Sequence, residues 1–180
     1  MGRRGRGDQS QLVPGLAQTE DYAREVIRAT MRPGSDVERK VQVRLARQDI
    51  LRNPEPPSIR MVIAEAALRQ QIGGAALMAE QVRHLIELAK LQCLTLQVLP
   101  FGSGAHPALT LASFSILRVE HRGLVTVYLQ ESSSHSFLTN AENVDHYSSI
   151  HRELRTAATE PGDRTVQLLE RIAADHRSEA

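Results

Sequence analysis

Apolar residues recur at helical spacing near both ends of the chain and alternate at strand spacing in its middle. Thr19 and the two acidic residues after it have the order of a helix N-cap followed by an acidic first turn, which favours a helix there. This first helix should end near Arg32, because Pro33 and Gly34 interrupt a helical backbone.

A second helix is predicted from the spacing of Ser35 and Glu38, which is that of a capping box. It should run to about Leu51, since the proline-rich segment 53–57 then imposes an extended turn. One face of this helix is apolar. Its other faces carry five basic residues: Arg39, Lys40, Arg44, Arg47 and Arg52.

The pattern changes to strand-like in the middle of the chain. A β-branched run over residues 58–64 predicts a first strand, and alternation over 94–98 predicts a second. Between them, apolar residues at helical spacing predict a helix over 75–91. Two alternating runs, 114–116 and 125–129, predict a β-hairpin. The buried stripe predicted for the helix consists of Met78, Val82, Leu85 and Ala89.

Helical spacing returns after a polar connection over residues 132–136 and predicts two more helices. Strands in the middle and helices outside them indicate an α+β fold, in which a small mixed β-sheet of about four strands is covered by helices from both ends of the chain. We expect a single domain over residues 12–176, preceded by a disordered Gly/Arg tail over residues 1–11.

The composition of the chain excludes several classes of function. The 180 residues carry a formal net charge of +1, which gives no global electrostatic footprint for nucleic acid or for an anionic membrane. Aromatic residues make up 3% with no Trp, so stacking platforms for single-stranded nucleic acid are not expected. The single cysteine, Cys93, excludes an internal disulfide and indicates a cytoplasmic location. No apolar run approaches the ~20 residues that span a membrane.

Strong enzyme motifs are missing from the sequence. It has no phosphate-binding loop, no Gly-x-Ser-x-Gly nucleophile elbow and no His-Glu-x-x-His metal motif. His146 and His151 are five residues apart, and not four as two metal ligands on one helix face would be. We therefore expect neither a metal nor a cofactor.

Two polar residues remain as candidates for chemistry. Glu65 follows the first predicted strand, where a carboxylate acts as a base or holds a ligand. The structural alternatives are an ion pair with Arg47 or Arg69, or a cap on the turn that follows. His106 lies in a glycine-rich loop, where the backbone can approach a ligand and an imidazole titrates near neutrality. A solvated histidine without a function is the alternative for that position.

Direct DNA binding by this chain alone is not expected. A helix-turn-helix needs a second helix to read bases, whereas the basic second helix here is followed by a proline-rich segment and then a strand. The basic helix suits contact with phosphate groups, with acidic residues of a partner, or simply with solvent.

Five sequence strings occur in a recognisable order. They are VPGLAQTEDYA at 13–23, RQDIL at 47–51, EAALR at 65–69, QVLPF at 97–101 and GAHP at 104–107. In these strings the chain resembles the actinobacterial domain of unknown function 5753, from about Leu12 to Ile172. Proteins that carry this domain are typically Streptomyces regulators with an XRE-type helix-turn-helix before it. They are likened to antitoxins and are often encoded beside a small partner protein.

The chain departs from that family pattern at several positions. Ala17 stands where the family usually has a second leucine, and Gln130 stands where a glutamate is common. Glycines expected around Ala108 and Ala112 are missing. The helix-turn-helix expected before Leu12 is also missing, so we expect either a truncated regulator or a freestanding protein with another task.

The resemblance implies a regulatory domain that binds a small cognate partner protein or a small-molecule effector, forms a homodimer, and controls DNA binding by a separate reader. The alternative is a freestanding enzyme on the same fold, with Glu65 and His106 as its acid–base residues. We expect a pocket at the strand ends. Its candidate residues are Arg44, Arg47, Glu65, Gln81, His106 and Tyr128.

Overall fold

The computed structural model describes residues 12–30, 34–110, 113–119, 124–130 and 135–180. The predicted Gly/Arg tail over residues 1–11 and the predicted helix end near Arg32 lie outside the described residues. The helices are α1 Glu20–Thr30, α2 Val37–Ala46, α3 Glu65–Arg69, α4 Ala75–Leu88, α5 Ala141–Ala157 and α6 Asp163–Ser178. The strands are β1 Ile59–Ala64, β2 Leu94–Leu99, β3 Ser113–Val119, β4 Leu124–Gln130 and β5 His135–Leu138. Short 3₁₀ turns are formed by Gly15–Ala17, Arg47–Arg52, Phe101–Ser103 and Pro107–Thr110.

The predicted α+β class, with helices at both ends of the chain, is confirmed. The strands, however, form two small sheets and not one mixed sheet. β1 and β2 pair in parallel, with Ile59 opposite Leu94, and β3, β4 and β5 form an antiparallel meander. A parallel pair needs a crossover such as α3 and α4 provide, whereas antiparallel neighbours need only short connections. The parallel pair and the antiparallel meander are therefore formed by separate stretches of the chain.

The strand β5 occupies part of the polar connection expected over residues 132–136. It pairs with β4 through the backbone, and Leu138 lies opposite Val127. Its four residues contain only two apolar side chains, so no alternation marks it in the sequence. Pairing with a neighbouring strand, and not its own side-chain pattern, accounts for β5.

The main core lies between the two-stranded sheet and helices α1, α4 and α6. Met78, Val82 and Leu85 of the stripe predicted for α4 are buried there, whereas Ala89 follows the helix end and is half-buried. Tyr22 of α1 is completely buried in the same cluster. Complete burial of a methionine, valine or leucine side chain contributes roughly 1.5–3 kcal/mol, so the packing of these helices fixes the position of the sheet.

The helix α5 covers one face of the three-stranded sheet and connects it to the rest of the molecule. Ile150 and Leu154 of α5 pack with Leu99 of β2 in a second, smaller cluster. The ring of Phe114 on β3 lies 5.0 Å from that of Tyr147 on α5. The three-stranded sheet is therefore one layer with a helix on one side.

The N-cap of α2 is Asp36, and the prediction that Ser35 caps this helix is wrong. The Asp36 carboxylate accepts a hydrogen bond from the Arg39 N–H at 2.9 Å. A carboxylate also interacts favourably with the helix dipole, which a hydroxyl does less well. The predicted end near Leu51 corresponds to the 3₁₀ turn that continues α2 after Ala46.

Thr159, in the link between α5 and α6, occupies the edge of β2 that faces away from β1. Its N–H donates to the Val98 carbonyl at 2.8 Å, and its hydroxyl accepts from the Val98 N–H at 3.0 Å. The Gln97 side-chain amide also donates to the Thr159 carbonyl at 2.8 Å. Thr159 thus provides hydrogen-bond partners for the N–H and the carbonyl of Val98, which would otherwise be unpaired at this edge of β2.

Candidate functional site

Glu65 lies where β1 ends, beside the turn that follows β2, because parallel strands end at the same edge of a sheet. It is the first residue of α3 and is buried. Its Oε1 accepts a hydrogen bond from Arg69 Nε at 2.7 Å, and its Oε2 accepts one from the Phe101 N–H at 2.9 Å. Of the two ion pairs considered for this carboxylate, the structure contains the one with Arg69.

Arg69 connects Glu65 to α6. Its Nη1 donates to Asp175 Oδ2 at 2.9 Å, so one guanidinium holds two carboxylates. The pKa of Arg69 is raised, mainly by its hydrogen bond with Glu65. The hydrogen bond with Asp175 raises this pKa further. These contacts join α3, α6 and the turn after β2 into one charged network.

An open groove of about 760 Å³ lies beside this network. Arg164, Gln167 and Arg171 of α6 contribute to its lining, together with Glu65 and Arg69 of α3. In the part of the chain that the structure describes, neither Arg164 nor Arg171 has a side-chain hydrogen bond or an ion pair. The groove therefore contains two guanidinium groups that form no ion pair with a described carboxylate.

Gln81 holds the segment before α1 against α4. It is completely buried, its amide donates to the Ala17 carbonyl at 2.7 Å, and its Oε1 accepts from the Thr19 N–H at 2.8 Å. Both ends of the side chain are thus used by backbone groups of this chain. Gln81 has a structural role that sequence analysis did not assign to it.

Arg44 supports the same segment from α2. Its Nη1 donates to Gln18 Oε1 at 2.8 Å, and the Gln18 amide donates in turn to the Val13 carbonyl at 2.7 Å. Burial, with a smaller effect of the neighbouring Arg47, lowers the pKa of Arg44. Arg47 itself is exposed and forms no ion pair with a described residue.

His106 lies between the 3₁₀ turns Phe101–Ser103 and Pro107–Thr110 and is half-buried. Its Nδ1 is buried and has no hydrogen-bond partner among the described residues. No hydrogen bond joins it to Glu65, whose two oxygens are occupied by Arg69 and by the Phe101 N–H. The two residues that an enzyme would use as acid and base are therefore not paired in this structure.

Tyr128 lies on the face of the three-stranded sheet opposite to the one that α5 covers. The register places Ser115 and Phe137 beside it, and its ring lies 5.1 Å from that of Phe137. Leu117, Leu124 and Phe137 on this face are 48%, 57% and 63% exposed. We give the name uncovered sheet face to the residues of this side whose side chains the structure describes. They are Ser113, Ser115, Leu117, Leu124, Thr126, Tyr128 and Phe137.

The six candidate residues do not form one site, although Gln81 and Arg44 both hold the segment before α1. Glu65 is the only one of them that lines the groove, and Gln81 supports the segment before α1. Sequence analysis missed Arg164 and Arg171. Their separation of seven residues puts them on one side of a helix, and this spacing is the signal that could have found them.

A family model for a domain of unknown function, DUF5753, matches residues 5–171 of the 180 residues. The chain belongs to the DUF5753 family. The DUF5753 match includes all six candidate residues and ends at Arg171 in the lining of the groove. Comparison with curated proteins and with solved structures found no match.

Two of the strings that carry the DUF5753 resemblance meet in space. Gln48 of the RQDIL string donates its side-chain amide to the Gly15 carbonyl at 3.1 Å and to the Gln18 carbonyl at 2.7 Å. Both carbonyls belong to the string at 13–23. These DUF5753 strings therefore hold the N-terminal segment of the domain in place.

Two further properties concern the described part of this DUF5753 chain. It contains no helix with the length and apolar character needed to cross a membrane. Among the same residues, no group of three or more His, Cys, Asp or Glu side chains is arranged to hold a metal ion.

Proposed function

We propose that this chain is the partner-binding regulatory domain of an XRE-type transcriptional regulator. In this proposal a small partner protein binds to the uncovered sheet face. DUF5753 membership supports the regulatory role, because the resemblance implies a domain that works with a separate DNA reader. The observation that carries the binding surface is the cluster of exposed apolar side chains on β3, β4 and β5.

The chemistry of this surface defines the partner. None of the seven residues that define the uncovered sheet face is charged, and the polar groups of their side chains are hydroxyls. About half of each of the Leu117, Leu124 and Phe137 side chains is exposed, so complete burial of each would contribute roughly 0.7–1.5 kcal/mol. Exposed apolar clusters commonly mark interaction sites. The partner should therefore present an apolar surface without charge at its centre.

The size of the surface favours a small, reversibly bound partner over a second copy of this chain. The face measures about 10 Å across its three strands and about 24 Å along a seven-residue strand, or about 240 Å². A stable interface buries about 800 Å² on each partner. A homodimer held by this face alone would be weak, whereas a regulated contact can be weak.

The regulatory mechanism follows from a difference in affinity. A partner that binds one arrangement of domain and DNA reader more tightly than another shifts the population toward that arrangement.

The freestanding enzyme remains the alternative function, and it has less support because Glu65 and His106 form no hydrogen bond with each other.

The test uses calorimetric titration of the chain with a small protein encoded beside its gene, which is the kind of partner that the family resemblance implies. Phe137→Ser should weaken binding about tenfold or more, because it removes the most exposed large apolar side chain of this face from the interface. The matched control is Phe101→Ser. Phe101 is 65% exposed, against 63% for Phe137, and lies in the 3₁₀ turn after β2.

Three outcomes would contradict the proposal. The neighbouring protein could fail to bind the unaltered chain, or the Phe137 and Phe101 variants could weaken binding equally. Sedimentation could also show a dimer that Phe137→Ser converts to a monomer, in which case a second copy occupies this face.

A further inference from the structure

We propose that the groove between α3 and α6 binds a phosphorylated small molecule through Arg164 and Arg171. This site is distinct from the uncovered sheet face and does not depend on the function proposed for that face. Its ligand would be an effector of the domain, whereas the sheet face would bind a protein. The volume of about 760 Å³ lies within the range of small-molecule sites.

The charge balance of the groove favours an anion. Its lining contains three arginines, Arg69, Arg164 and Arg171, and two carboxylates, Glu65 and Asp175. Both carboxylates are already bound by Arg69, at 2.7 and 2.9 Å. Arg69 and the two carboxylates together carry a charge of −1, and the other two guanidiniums bring the lining to a net charge of +1.

Arg164 and Arg171 lie on the same side of α6. Seven residues correspond to two helical turns, or about 10.5 Å along the axis. Gln167 lies between them on that side and also lines the groove. Two arginine side chains can converge on one group above Gln167, whose amide adds a further donor.

Phosphate suits these donors better than a single carboxylate does. A phosphate monoester carries a charge of about −1.5 to −2 at neutral pH and has three strong acceptor oxygens, which match two guanidiniums and one amide. Guanidinium groups form bidentate hydrogen bonds with phosphate oxygens. A lone carboxylate has one charge and two oxygens, and would leave one arginine without a partner.

Two acidic residues of α6 are close enough in sequence to oppose an anion. Asp163 precedes Arg164, and Glu170 precedes Arg171. Both are exposed, and neither forms an ion pair with these arginines. Asp163 does not line the groove, whereas Glu170 lines the adjoining surface together with Gln167 and Arg171, so its carboxylate weakens the positive potential at the Arg171 end.

The test is calorimetric titration of the full chain with pyrophosphate in 0.15 M salt. We expect saturable binding with a Kd in the millimolar range or below. Arg164→Gln and Arg171→Gln should each weaken it about tenfold, because each removes a charge-assisted pair of hydrogen bonds. The matched control is Arg152→Gln on α5, an exposed arginine that also has no ion pair with a described residue and does not line the groove.

The control should bind pyrophosphate within about twofold of the unaltered chain, and so should Phe137→Ser. An absence of binding at about 10 mM pyrophosphate, a concentration tenfold above a millimolar Kd, would overturn the proposal. Equal weakening by Arg152→Gln would do the same, because it would show general attraction by surface charge. Tighter binding of citrate than of pyrophosphate would overturn the assignment to phosphate. Melting temperatures of the variants show whether each has folded.

Discussion

At the scale of single residues, the most constrained polar side chain is Gln81. It is completely buried, and its amide and carbonyl groups bond to the backbone on either side of Gln18. A glutamine in an apolar stripe of a helix resembles a ligand-binding residue, because the sequence does not show which chain segment crosses that stripe. The structure shows a structural use for both ends of this side chain.

Replacement of Gln81 by Ala should therefore lower the free energy of unfolding by about 2–4 kcal/mol. The change leaves a buried carbonyl of Ala17 and a part-buried N–H of Thr19 without partners, at a cost of about 1–3 kcal/mol for each such group. Urea denaturation measures the effect. Gln42→Ala, at an exposed position of α2, is the control and should change the free energy by less than about 0.5 kcal/mol. Equal effects of the two changes would contradict this explanation.

At the scale of elements, helices and strands with strong side-chain periodicity were predictable. The sequence predicts α4 from its apolar stripe and β1 from its β-branched run, and the structure contains both. It does not predict β5, whose four residues are a strand only because β4 pairs with them. It also does not predict the separation into two sheets, which depends on long-range pairing that no local pattern records.

The candidate site also has one part that the sequence predicts and another part that it does not. Glu65 could be placed at a strand end from the sequence alone, since the end of a β-branched run is a local feature. The groove is not local, because it is formed by α3 and by α6, which are about a hundred residues apart. Arg164 and Arg171 could be recognised only after α6 was placed beside α3.

The cap of α2 gives a prediction at this scale. Asp36→Ala should destabilise the protein by about 1 kcal/mol, because the Arg39 N–H loses its acceptor. Ser35→Ala changes the neighbouring residue, which makes no capping hydrogen bond, and should have an effect within about 0.5 kcal/mol. Thermal unfolding of the two variants decides which residue is the cap. A larger loss for Ser35→Ala would contradict the observed capping.

At the scale of the whole molecule, burial is unevenly distributed. The main core includes residues from α1, α4, α6, β1 and β2. In the described part of the three-stranded sheet, Val127 is the only buried hydrophobic residue. The sheet is attached mainly through α5, and the domain therefore has a firmly packed part and a thinly packed part.

Amide hydrogen exchange should reveal this difference. Amides in the middle of α4 and α6 should exchange about a hundredfold or more slowly than hydrogen-bonded amides of β4, because opening free energies follow local burial. Exchange under native conditions, followed by mass spectrometry or NMR, measures both. Equal protection of α4 and β4 would show that the two parts unfold as one unit. Binding of the small partner protein should slow exchange in β4 and leave α4 unchanged.

The position of Thr159 also bears on how the molecule avoids self-association. Exposed strand edges recruit strands from other molecules, and this is a common route to aggregation. At Val98 the edge of β2 already has its N–H and its carbonyl bonded to Thr159. An incoming strand would first have to displace the link between α5 and α6, so Thr159 protects the parallel sheet from growth at that edge. The link between α5 and α6 thus limits, through Thr159, how far this sheet can extend.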